Sequence, residues 1–230
     1  MKLSIVMPVF NEAHRVRDAI DHVLAVQYPC PIELIVVDDG SRDKTAALLR
    51  HIEEPRVTVL THHRNRGKGA AVKTAVANAT GDYMVIFDAD LEYDAWDIPR
   101  LLAPVLSGRA EVVYGNRTFG SHTAYSFWYV IGNKAVTLAA NVLYNSYIGD
   151  LETCFKLLPV ETFRSLRIRS QGFGVEAEMT AKLLRRGIRP FEVPISYRAR
   201  TRQEGKKITW RDGVEALWIL GREWIAPRRR

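Results

Sequence analysis

Cysteine is scarce: the 230 residues hold two, Cys30 and Cys154. They lie far apart and match no metal or redox spacing. That excludes a disulfide framework, points to a reducing cytoplasm and leaves both thiols as packing residues. Long apolar runs are also missing. A bilayer span needs about 18 to 20 apolar residues, and the nearest approach, Ala135 to Ile148, is broken by Thr137, Asn141, Asn145 and Ser146. The N-terminus enters a strand-like segment at once, without a signal-peptide layout. No internal repeat, low-complexity tract or linker interrupts the chain, so a single domain is expected. None of the common nucleic-acid modules is present. The net charge of +7 therefore calls for another anionic partner, a phosphorylated substrate or a membrane surface.

What is present is ordinary soluble composition, 47% apolar and 26% charged, in a chain large enough for a sizeable core. Apolar segments alternate with helical patterns. Strands are expected at 2–9, 32–37, 56–60 and 82–87, with helices at 12–26, from Ser41 or Asp43 to 53, and from beyond Gly69 to 79. This alternation predicts an α/β fold with a doubly wound, mostly parallel sheet. Downstream, helices are expected at 97–106, 125–147 and 175–186, and strands at 111–114, 150–158 and 189–194. A last helix, 212–225, places Val214, Leu217, Trp218, Gly221, Trp224 and Ile225 on one apolar face, and Arg228-Arg229-Arg230 follows.

The central stretch is Tyr83-Met84-Val85-Ile86-Phe87-Asp88-Ala89-Asp90-Leu91-Glu92. It begins as a buried strand and ends in carboxylates, where open parallel sheets bind ligands. If the chain stays extended, Asp88 and Asp90 share a face and reach one hard cation. The plain alternative is a solvated turn. Three further signatures stand in order: Pro8-Val9-Phe10-Asn11-Glu12, Asp38-Asp39-Gly40-Ser41, and Asn65-Arg66-Gly67-Lys68-Gly69.

With the Asp-Ala-Asp motif, this ordered set resembles the family 2 inverting glycosyltransferases of the GT-A (Rossmann-like) fold, and among them the polyprenyl-phosphate sugar synthases. The resemblance covers about residues 2 to 210 and implies a GT-A domain at 1–210, followed by an amphipathic helix and basic tail at 211–230. It implies Pro8, Asn11, Glu12, Asp39, Lys68, Asp88, Ala89 and Asp90 around a nucleotide sugar, with Glu12 near the ribose and Asp39 at the base. Asp88 and Asp90 would hold Mg²⁺ or Mn²⁺. Glu92, where relatives often carry glutamine, would be a third ligand or a neighbour of the site.

Chemistry then separates two acceptors. A sugar hydroxyl needs a base to take its proton, and Glu176 stands where hydroxyl-using relatives carry one. A phosphate monoester, with a second pKa of about 6, is already ionised and needs only cations. The resemblance assigns those cations to Arg117 and to the loop with Arg200, Arg202, Lys206 and Lys207. Lys134 stands in for an arginine absent from residues 128 to 134. The expected function is transfer of a hexose or N-acetylhexosamine from a UDP- or GDP-linked donor to polyprenyl phosphate, with Asp88, Asp90, Arg117 and Glu176 as the catalytic set. The Glu204-Gly205-Lys206-Lys207 form departs from the mannose synthases and favours UDP. The alternatives are hydroxyl glycosylation with Glu176 as base, and a nucleotide-sugar-binding protein without catalysis. The lipid acceptor and the aromatic residues Tyr125, Phe127, Trp128, Tyr129, Trp218 and Trp224 place the protein at the cytoplasmic membrane face, directly or through a separate membrane protein. The other expectation for the last helix is that its apolar face packs on the domain.

Overall fold

The computed structural model describes residues 1–118, 120, 126–200, 207 and 209–227. β1 (Leu3–Val9), β2 (Ile32–Asp38) and β4 (Tyr83–Ile86) are the near-continuous apolar runs, and they are buried because the sheet is covered on both faces. With β3 (Val57–Thr61), β5 (Val113–Asn116), β6 (Lys156–Pro159) and β7 (Phe191–Pro194) they form a seven-stranded sheet in the order β3-β2-β1-β4-β6-β5-β7. β6 alone is antiparallel, to both β4 and β5. The chain winds outward from β1 through β2 to β3, then crosses to β4 on the other side of β1. That reversal opens a crevice at the carboxyl ends of β1 and β4.

Helices α1 (Val16–Ala25), α2 (Thr45–Leu49), α3 (Lys68–Ala77), α4 (Ile98–Leu106), α5 (Phe127–Tyr144), α6 (Val160–Leu166), α7 (Val175–Arg185) and α8 (Trp210–Ile225) cover the sheet. α1 starts later than expected because the Glu12 carbonyl first closes a turn onto the amides of Arg15 and Val16. Neither Ser41 nor Asp43 is the N-cap of α2, which falls on Lys44; Asp43 accepts from the Thr45 amide and Ser41 from the Asn11 amide.

Two sequence expectations fail. The strand foreseen at 150–158 reduces to Lys156–Pro159, and residues 150–155 form a loop. The loop's polar groups are drawn away from any strand partner. The Asp150 carboxylate accepts from Arg117 and Asn133, while the Lys156 ammonium binds the carbonyls of Leu151 and Thr153. The last helix also turns its other side inward. Ala216, Ile219 and Leu220 pack with Val136, Ala140, Ala177 and Ala181 of α5 and α7, and Val214, Trp218, Trp224 and Ile225 are exposed. The helix is amphipathic, yet the strip it buries is the one that also carries Glu223; Ile219 and Leu220 fit against the small side chains Ala140, Ala177 and Ala181.

At the amino edge of the sheet, Glu33 accepts hydrogen bonds from the side chains of Lys2, Ser4 and Thr80 and from the Thr80 amide. Partial burial opposes its charge, but these bonds outweigh it and hold the carboxyl at about 2, below its ordinary 4.5. A depressed acid adds stability above its unfolded value and loses it as pH falls through the folded one. Glu33→Gln is therefore expected to lower the thermal midpoint at neutral pH. The gap from wild type should close between about pH 4.5 and pH 2, read by scanning calorimetry.

Candidate active site

The carboxyl edge of the sheet carries a cleft of about 370 Å³ lined by residues from widely separated segments. Pro8, Val9 and Phe10 leave β1 into it, and Glu12 follows. Asp39, just past β2, is buried and accepts from His62 Nδ1 (2.6 Å), the Arg66 amide (2.9 Å) and the Gly67 amide (2.7 Å). The Asn65-to-Gly69 loop is thus tied to the end of β2. Gly67 has φ of 93°, and a Cβ there would stand 2.5 Å from the Gln171 carbonyl oxygen. Only glycine permits both that backbone and that approach. The loop delivers Lys68 as the first residue of α3, with Nζ 2.7 Å from Asp88 and 2.7 Å from Glu176. Burial opposes the ammonium charge, yet the two carboxylates outweigh it and raise its pKa well above the ordinary lysine value.

Asp88 and Asp90 do not stand on an extended strand. β4 ends at Ile86, and the chain turns at Ala89 and Asp90, with Leu91 left-handed at φ 59°. Asp90 accepts the Glu92 amide at 3.1 Å, which closes the turn, and Arg200 Nη2 at 2.7 Å. Its carboxyl is pushed up to about 7 by burial, then by the charges of Asp88 and Glu92, which Arg200 only partly offsets. Crowded carboxylates short of positive charge are the oxygen donors a hard divalent ion takes, and Asp88 and Asp90 fit that role. Glu92 follows two residues on. It is buried and anchors the following segment, accepting from Tyr197 Oη and the Arg200 amide. Among the described residues no group of three carboxylate, imidazole or thiol side chains converges to hold one ion.

Arg117, after β5, lines the same cleft with its guanidinium forked on Asp150 at 2.6 and 2.8 Å and stacked 4.9 Å from the centre of the Tyr197 ring. Arg200 reaches Asp90, Glu92 and, at 3.5 Å, Glu12; Lys207 stands 2.8 Å from Glu12. Pro8, Glu12, Asp39, Lys68, Asp88, Ala89, Asp90, Glu92, Arg117, Glu176 and Arg200 thus meet in one cleft, as the sequence predicts. Asn11 lies beside it: its side-chain oxygen Oδ1 accepts the Arg42 amide, which buttresses the turn after β2. Lys134 is not brought in; it is exposed on α5, and its neighbour Asn133 turns inward to Asp150. Arg202 and Lys206 lie outside the described residues. Cys154 is buried at the cleft with its thiol raised well above 9 by burial, in keeping with a packing role. The sequence reading missed Asp150 and Glu152. An Asp-x-Glu pair ahead of a lysine was the available signal, hidden by its assignment to a strand.

Residues 4–169 match the profile of glycosyl transferase family 2. The chain belongs to that family. This family 2 chain is 27% identical over 199 residues to glycosyltransferase AglJ of Haloferax volcanii, covering 85% of itself and 62% of that protein. It is 29% identical over 212 residues to the undecaprenyl-phosphate 4-deoxy-4-formamido-L-arabinose transferase of Pseudomonas fluorescens, covering 89% of itself and 59% of that relative. The chain thus spans about three-fifths of the length of these two relatives. Among solved structures, glucosyl-3-phosphoglycerate synthase of Mycobacterium tuberculosis with Mn²⁺, UDP and glucosyl-3-phosphoglycerate superposes at a TM-score of 0.73 and 21% identity, over 98% of this chain and 81% of that one. The same enzyme with Mg²⁺ and UDP gives 0.73 at 20% identity, over 98% and 80%. That likeness is one of fold, and the fold is the expected GT-A.

Removing Asp150 would leave the buried Arg117 charge without its forked partner. Losing one member of a buried pair typically costs about 3–5 kcal/mol, so Asp150→Ala is expected to lower the urea-unfolding free energy by roughly that amount.

Proposed function

We propose that this protein is a metal-dependent inverting glycosyltransferase that moves a hexose or N-acetylhexosamine from a nucleotide sugar to polyprenyl phosphate. The observation that carries the choice of acceptor is the Lys68–Glu176 ion pair. The carboxylate at the position of a hydroxyl-activating base is committed to an ammonium group, while Arg117 and Arg200 supply positive charge in the same cleft. Ionised phosphate needs that charge and no base. The relative named for undecaprenyl phosphate supports the same acceptor class.

In this reading a phosphate oxygen of the acceptor bonds to the anomeric carbon as that carbon's bond to the donor diphosphate breaks, and the electron pair leaves with the nucleoside diphosphate. Glu12 and Asp39 face the ribose and base, and Lys68 holds Asp88 in place. Arg117 and Arg200, with Arg202 and Lys206, draw the acceptor phosphate toward the sugar. When bound at Asp88 and Asp90, Mg²⁺ or Mn²⁺ supplies Lewis-acid neutralisation of the departing diphosphate. The neighbours holding either ion with UDP support that cofactor and a UDP donor.

The exposed apolar faces of α5 and α8 supply a place for the lipid. No helix among the described residues is long and apolar enough to cross a membrane. Phe127, Trp128, Leu138 and Val142 on α5 stand exposed, and so do Trp210, Val214, Trp218, Trp224 and Ile225 on the adjoining α8. Arg222 lies 5.0 Å from the centre of the Trp218 ring, the mixture of tryptophan and guanidinium that suits an anionic interface. Asp212, in the first turn of α8, lines the cleft, so an alkyl chain leaving the phosphate subsite would run onto this face. The protein would work on the cytoplasmic membrane face, directly or beside a membrane partner.

Incubation with Mn²⁺, a nucleotide-sugar panel and short polyprenyl phosphate tests the reading: an acid-labile glycolipid is expected, and product formed only on sugar hydroxyls would overturn it. Asp90→Ala should reduce transfer by roughly 100-fold or more. Mn²⁺ affinity, measured by calorimetry, should weaken as pH falls below about 7, because protons then compete for Asp90. Replacing Trp218, Trp224 and Ile225 together by serine should weaken co-sedimentation with phosphatidylglycerol vesicles at least about tenfold, with UDP binding unchanged.

A further inference from the structure

The order of strands sets out the cleft from one end to the other. Asp39 follows β2, Pro8 to Glu12 follow β1, Asp88 and Asp90 follow β4, and Arg117 follows β5. Between β4 and β5 stands β6. Because β6 is antiparallel, the loop that enters it, residues 150–155, lies on the same carboxyl edge. Strands are spaced about 4.8 Å apart, so the metal-side aspartates and the Arg117 subsite are separated by roughly 10 Å of edge, with this loop between them. On the proposed reading, a transferred sugar occupies that interval.

Every part of the loop is pinned. Asp150 is held by Arg117 and Asn133, and the Leu151 amide by Thr137 Oγ1 at 3.1 Å. The buried Lys156 Nζ binds the carbonyls of Leu151 and Thr153 at 2.7 Å each, one on either side of Glu152. Tyr93 Oη accepts the Cys154 amide at 3.1 Å. Glu152 lines the cleft, and its Oε1 is sealed from solvent with no hydrogen-bond partner among the described residues. The neighbouring cations are already committed, Lys68 to Asp88 and Glu176, and Arg117 to Asp150. A buried acceptor without a donor is costly, and native structures rarely keep one without a function.

We infer that Glu152 is a donor-sugar recognition residue, a fixed carboxylate that accepts a hydrogen bond from a hydroxyl group of the transferred sugar. This assignment rests on the nucleotide-sugar reading of the cleft. A sugar hydroxyl supplies the missing donor, and an ionised carboxylate is acceptor-only. Burial first, and then the Glu176 charge, push the Glu152 carboxyl up to about 7. That is the direction expected of a group awaiting a donor.

The test compares wild type with Glu152→Ala and Glu152→Gln by calorimetry in Mn²⁺. The probes are UDP and GDP alone, and UDP-glucose, UDP-galactose, UDP-N-acetylglucosamine and GDP-mannose. For the nucleotide sugar that wild type binds best, affinity should fall about tenfold or more in Glu152→Ala, the loss expected of a hydrogen bond to a charged group. Glu152→Gln should recover part of it through its amide oxygen. Affinity for the bare nucleotide should stay within twofold in both variants. A merely structural role would weaken nucleotide and nucleotide sugar together, and that outcome overturns the assignment. So does an unchanged nucleotide-sugar affinity in Glu152→Ala while UDP or GDP still binds. If wild type binds no nucleotide at all, the donor-site reading falls, and the assignment falls with it.

Discussion

Lys68 stands between two carboxylates on different elements, Asp88 beyond β4 and Glu176 in the first turn of α7. Without it, that edge of the sheet would gather Asp88, Asp90, Glu92 and Glu176 with little to separate their charges, and close like charges in a partly desolvated cleft repel strongly. The first turn of α3 is an unfavourable place for a cation, because a helix presents positive partial charge there. The two carboxylates outweigh that penalty. Arg200 performs the same service for Asp90, Glu92 and Glu12 from the segment after β7. Arg200 already holds Asp90 Oδ2, so the position of that segment and the charge on Asp90 are one balance.

The parallel half of the sheet was legible because its strands are buried on both faces and appear as unbroken apolar runs, each ending in a polar signature. Those endings, from Pro8 to Glu12, at Asp39 and at Asp88 to Asp90, lie in the cleft where the fold type places ligands. Their spacing in the chain reports their convergence because each is tied to a strand end. Arg200 and Lys68 were legible as cations, though not as partners of specific carboxylates.

The antiparallel half was harder to see. Residues 150–155 are apolar enough to pass for strand, yet the loop is shaped by contacts from distant elements: Arg117 after β5, Asn133 on α5 and Tyr93 before α4. No local pattern encodes those. α8 shows a second limit. Its bulkiest apolar side chains point outward, and the buried strip, Ala216, Ile219, Leu220 and Glu223, is selected by the alanine-rich faces of α5 and α7 rather than by the helix's own periodicity. Glu92 shows a third: the motif left it as ligand or neighbour of the site, and its contacts with Tyr197 and Arg200 come from a segment more than 100 residues away that no local pattern announces.

The reversed direction of β6 has a consequence for how such an enzyme diversifies. The segments after β1, β2 and β3 lead into α1, α2 and α3, so exchanging them disturbs the scaffold. The segment entering β6 is pinned through Asp150, the amides of Leu151 and Cys154 and the Lys156 ammonium, while Glu152 Oε1 has no hydrogen-bond partner among the described residues. On the proposed reading, sugar preference would change at position 152 by single substitutions that leave the bonds holding this loop in place.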